Sequence, residues 1–140
     1  IIISFLCIYF IYRRKKNILE HNLINNTTYD YETAIKEIDN LDTSNLINNT
    51  EIKILYDKLS NIFKLFLNNN LYIKATKMTT SEISRYLYKS NFNENIIKNW
   101  NNLSSKLDEK KFSNTYIQIS DFEEDKDKYK KIIKSINNLK

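Results

Sequence analysis

Residues 52–67 read IKILYDKLSNIFKLFL. Ile52, Leu55, Tyr56, Leu59, Ile62, Phe63, Phe66 and Leu67 recur there at i, i+3, i+4 and i+7, the spacing of one apolar helix face held over about four turns. A face that wide must be covered from more than one side, so this segment is expected to be the central helix of an all-α domain. The run Asn68–Asn70 is expected to end it.

Working outward, each neighbouring segment repeats the pattern. A first helix is expected over about 30–41, with Tyr31, Ala34, Ile35, Ile38 and Leu41 on one face. The stretch 42–50, DTSNLINNT, reads as a loop whose Asn49 or Thr50 caps the central helix. Downstream, LYIKATKM (71–78) is a connector that leads to Thr79 and Glu82, which have the spacing of a capping box. The helix they open buries Ile83, Tyr86 and Leu87 and runs to about Ser90. A fourth carries Ile96, Ile97, Trp100, Leu103 and Leu107 on one stripe. A second capping box, Ser120 to Glu123, is expected to open the last helix, which buries Tyr129, Ile132, Ile133 and Ile136. Its acids lie at the start and its lysines towards the end, as the helix dipole favours. The fold class is therefore five amphipathic helices over 29–140. LYIKATKM and TYIQI (115–119) are the two stretches able to be extended.

Composition supports this. Gly and Pro are both absent from the 140 residues. Hairpin turns and phosphate-cradling loops lean on glycine, whereas helices joined by Asn and Asp turns do not need it. The abundant Asn makes the Asn-x-Ser/Thr sequons at Asn25, Asn26, Asn48 and Asn102 expected by chance.

The first 28 residues have another character. Residues 1–12, IIISFLCIYFIY, carry no charge and are followed by Arg13, Arg14, Lys15 and Lys16. A bilayer requires about 20 apolar residues, so this is expected to be the C-terminal part of a longer transmembrane helix. The sequence begins at Ile1, and its single Met is Met78. A signal peptide would carry its positive charges ahead of the apolar run. Basic residues directly after the run mark the inner, cytoplasmic face of the membrane, and Tyr9 and Tyr12 suit the interface. Residues 13–28 form a basic stop and tether. The net charge of +5 resides mostly in that stop: the 22 basic residues less those four leave 18 against 17 acidic ones. A nearly neutral domain argues against nucleic acid as the partner.

No catalytic constellation stands out. His21 is the only histidine and Cys7 the only cysteine, in tether and apolar segment respectively, so neither a nucleophile–base pair nor a Cys-based metal site is expected. The acidic run DFEEDKD (121–127) lacks the glycine of a calcium loop and is explained by the dipole. Residues 79–107 have the outline of a helix-turn-helix, but the would-be recognition helix ENIIKNWNNLSSKL offers only Lys98 and Lys106 as cations. Trp100, Tyr86 and Phe112 form an aromatic set that reads as core before it reads as a partner groove. No cofactor and no small-molecule substrate is implied.

The order of features resembles a known family. The face Tyr31–Ile38 (Tyr-Glu-x-Ala-Ile-x-x-Ile), the segment LYIKATKMTTSEISRYL with its Lys74–Leu87 portion, and Asp108–Phe112 (DEKKF) together resemble the cytoplasmic tail of bacterial aerotolerance (Bat-type) membrane proteins. The likeness spans about 31–136. It implies a non-enzymatic, membrane-anchored interaction domain working beside a MoxR-type AAA+ ATPase or a von Willebrand A-domain protein at the inner membrane. No catalytic residue comes with it. The competing expectation is a membrane-bound DNA-binding regulator using 79–107.

Overall fold

A computed structural model describes residues 29–46, 48–112 and 114–139. The expected membrane segment and its boundary residues Tyr9, Tyr12, Arg13, Arg14, Lys15 and Lys16 lie outside them. Among the described residues no helix is long and apolar enough to cross a membrane.

The architecture is all-helical: α1 (Tyr31–Asp39), α2 (Asn49–Leu71), a 3-10 turn (Ala75–Lys77), α3 (Thr80–Lys89), α4 (Glu94–Phe112) and α5 (Ile119–Asn137). As its periodicity requires, α2 is the hub, packing on α1, the 3-10 turn, α4 and α5. All eight residues of its apolar face are buried. Phe63 stacks on Trp100 of α4 with centroids 4.5 Å apart and meets the edge of Tyr129 of α5 at 5.5 Å. Burying one such ring stabilises the fold by roughly 1.5–3 kcal/mol. TYIQI and LYIKATKM form no strand; the connector winds into the 3-10 turn, which seats the fully buried Ala75 beside α2.

Helix ends depart from expectation wherever a side chain has a tertiary partner. Asn48, one residue earlier than expected, caps α2 in a capping box with Glu51. Asn49 is spent elsewhere: its Nδ2 donates to the Thr115 carbonyl at 2.9 Å and its Oδ1 accepts from the Ile117 amide at 3.0 Å. The asparagine run does not stop α2. Asn70 is buried, its Nδ2 donating to the Phe66 carbonyl at 2.8 Å, and Asn68 exchanges hydrogen bonds with Thr76. The helix ends instead at Tyr72, which is left-handed at φ 54°.

Thr79 and Glu82 do form their capping box. Glu82 lies below the usual carboxylate range because the Thr79 amide donates to it. The α3 helix closes in a Schellman arrangement. Asn91 takes φ 56°, while the Phe92 amide reaches the Leu87 carbonyl and the Asn91 amide reaches that of Tyr88.

The expected box at Ser120 and Glu123 is absent. The α5 helix starts at Ile119, after Gln118, because the Asn49 bond fixes Ile117 just upstream. Ser120 is thus already inside the first turn. Glu123 instead accepts from Thr43 Oγ1 at 3.0 Å and pairs with Lys126 at 3.1 Å.

Candidate functional site

Three features of the described surface bear on function. The first is a buried polar knot between α2, α4 and α5. The Tyr56 hydroxyl donates to Asp125 Oδ2 at 2.9 Å and accepts from Lys110 Nζ at 3.0 Å. Lys110 also reaches Asp125 at 3.1 Å and Asp121 at 3.4 Å. Burial raises the Tyr56 phenol well above its ordinary value, and the neighbouring Asp125 charge raises it further. A phenol so held keeps its proton and is a poor base. An ammonium has three N–H groups, and three acceptors surround Lys110. This knot holds helices together. A polar hollow of about 270 Å³ lies over it, bordered by Lys106 and Tyr116. No group of three or more metal-ligating side chains occurs among the described residues.

The second feature is a groove of about 380 Å³ along the α4–α5 hairpin. Its apolar lining comes from Ile96 and Leu103 of α4 and Ile132 of α5. Lys106 stands on one wall, with Lys128 and Lys131 on the other, and among the described residues no acidic side chain lines it. Lys128 is tied to Glu124 at 2.6 Å, a bond that raises its pKa. Lys106 and Lys131 are exposed.

The third is the tip of that hairpin. Phe112, Tyr116 and Ile119 are 81%, 79% and 43% exposed within eight residues of chain. The bonds from Asn49 to Thr115 and Ile117 fix this tip at the α2 N-terminus. Tyr29, the first described residue, lies at the other end, where its carbonyl accepts from Asn70. The two ends of α2 are about 30 Å apart.

Among the residues singled out from sequence, Trp100 is core as expected, its indole N–H donating to Ser84 Oγ at 3.2 Å. Tyr86 is half-buried, its hydroxyl reaching the Leu71 carbonyl. Phe112 is not core. The outward face of the would-be recognition helix carries Lys98, Asn99, Asn102 and Lys106, while Trp100 and Leu103 are buried. Sequence reasoning missed the knot because Asp125 passed for a dipole acid. Its spacing was the available signal, since Asp125 lies three residues after Phe122 and four before Tyr129 on the buried stripe.

No protein-family model, curated protein or solved structure matches the chain.

Proposed function

We propose that this chain belongs to a membrane-anchored protein whose helical domain docks a cytoplasmic partner and catalyses no reaction of its own. The observation that carries the reading is the placement of Phe112, Tyr116 and Ile119 at the opposite end of α2 from Tyr29, where the chain arrives from residues 1–28. The exposed aromatic tip is thus far from the point at which those residues join the domain, and aromatic side chains are favoured anchors of protein interfaces. The apolar residues 1–12 and the basic Arg13–Lys16 support the anchor and a cytoplasmic domain. The resemblance to Bat-type tails supplies the partner class: a MoxR-type AAA+ ATPase or a von Willebrand A-domain protein.

The test is binding of the purified chain to each of these two proteins from the same source, measured by biolayer interferometry. Wild type binds at least one of them. Phe112→Asp/Tyr116→Asp weakens binding about tenfold or more while leaving the melting temperature in place. Failure of both proteins to bind, or binding indifferent to the double substitution, overturns the proposal.

A further inference from the structure

We infer that the α4–α5 groove receives an acidic amphipathic helix of the partner, a deepening that rests on the docking reading above. The groove is built from two helices that meet as a hairpin, since Ile96 near the start of α4 shares it with Ile132 and Ser135 near the end of α5. A cleft between neighbouring helices accepts a third helix through apolar residues at i, i+3, i+4 and i+7. Ile96 and Leu103 are seven residues apart, two helical turns or about 10 Å, which matches the reach of such anchors.

Charge selects the occupant. The walls present Lys106, Lys128 and Lys131, and the described residues lining the groove include no carboxylate, although the domain as a whole is nearly neutral. The adjacent Glu124 and Asp125 are paired with Lys128. Because Lys128 is already held by Glu124, Lys106 and Lys131 are the cations that meet the ligand. Aspartate or glutamate on both flanks of an apolar stripe complements that rim, whereas a basic flank is repelled. Duplex DNA is a poorer fit, because a groove reader must protrude and here the apolar centre is recessed between two helices. Lys106 also borders the hollow beside Tyr116, so groove and hairpin tip form one continuous surface.

The test uses the full chain and fluorescein-labelled synthetic helices about four turns long, roughly 14 residues. One carries a leucine stripe flanked by glutamates, a second has lysines in place of the glutamates, and a third has serines in place of the leucines. Fluorescence anisotropy shows the glutamate peptide binding, with the other two weaker by about tenfold or more. Lys106→Glu/Lys131→Glu reverses the preference towards the lysine peptide, and circular dichroism verifies that this variant is folded. Equal binding of acidic and basic peptides, no binding of the acidic one, or an unchanged preference in the double variant overturns the groove assignment. If that happens while the Phe112- and Tyr116-dependent partner still binds, docking stands and only the groove falls. Duplex DNA retained in a Lys106-dependent, salt-sensitive manner with no peptide binding overturns both.

Discussion

The hydroxyl of Tyr56 on α2 donates to the carboxylate of Asp125 on α5 at 2.9 Å, joining residues 69 apart in sequence. Asp125 is 1% exposed, and Tyr56, Lys110 and, at 3.6 Å, Lys128 surround its carboxylate. Removing Asp125 leaves the part-buried Lys110 only the half-exposed Asp121 and takes the acceptor from the buried Tyr56 hydroxyl, at a cost of about 2–3 kcal/mol. Asp125→Ala is therefore expected to lower the unfolding free energy from urea titration by about 2–3 kcal/mol. Replacing the trio together (Tyr56→Phe, Lys110→Met, Asp125→Leu) recovers much of it, because apolar groups of similar volume need no partners. An Asp125→Ala variant within about 1 kcal/mol of wild type would show that the knot is not structural.

Tyr129 has the opposite problem. Its hydroxyl is buried without a hydrogen-bond partner among the described residues. A buried unsatisfied group costs about 1–3 kcal/mol, so Tyr129→Phe is expected to stabilise the fold by about 1 kcal/mol while keeping the ring contacts with Phe63 and Trp100. Burial, followed by the charges of Asp108 and Asp125, raises the Tyr129 phenol above its ordinary 10.0. The unfolded chain thus releases this proton at a lower pH than the fold does. The contribution is complete below pH 10 and is lost as pH rises beyond it. Urea titrations from pH 9 to 11 are expected to show Tyr129→Phe losing less stability than wild type.

At the acid end the sign reverses. The Thr79 amide holds Glu82 below its ordinary 4.5. The unfolded chain therefore takes up this proton first as pH falls, and the stability present above 4.5 disappears as pH drops through the lowered folded value. Glu82→Gln is expected to flatten the pH dependence of the melting temperature between pH 5 and 3. Thr79→Ala removes the other half of the box and costs about 1 kcal/mol at neutral pH. Unchanged acid sensitivity in Glu82→Gln would assign it to other carboxylates, of which Asp30 and Asp42 are also lowered by nearby N–H donors.

Local periodicity carries the helices, and tertiary pairing decides their ends. Ile52 to Leu67 announces α2 because an unbroken apolar face has one geometric solution. Asn70 defies its reputation as a stop because its amide reaches Phe66 and Tyr29, and Tyr29 is 41 residues away. Asn49 cedes the cap to Asn48 because it is engaged by the α4–α5 connector. The same divide runs through the candidate site. Lys106 was visible as an outward cation, but Lys128 and Lys131 passed for dipole lysines. That they face Lys106 across Leu103 and Ile132 depends on how two helices cross, which no single helix encodes. Phe112 read as part of an apolar set because aromatic residues are usually inside, and its exposure follows from α4 overrunning the core by a turn after Leu107.

Tyr72 tests the backbone directly. It ends α2 at φ 54°, ψ 37°, a conformation in which its Cβ crowds the following carbonyl at roughly 1–2 kcal/mol. The side chain is 94% exposed and therefore has little packing to offset that cost. Glycine removes the crowding but adds freedom to the unfolded chain, so the expected net gain for Tyr72→Gly is about 0.5–1 kcal/mol. Tyr72→Ala retains the Cβ and is expected to gain nothing. Urea midpoints of the two variants separate the explanations. A rise in glycine alone assigns the cost to the left-handed backbone, whereas an equal rise in alanine places it in the tyrosine ring and removes the strain argument.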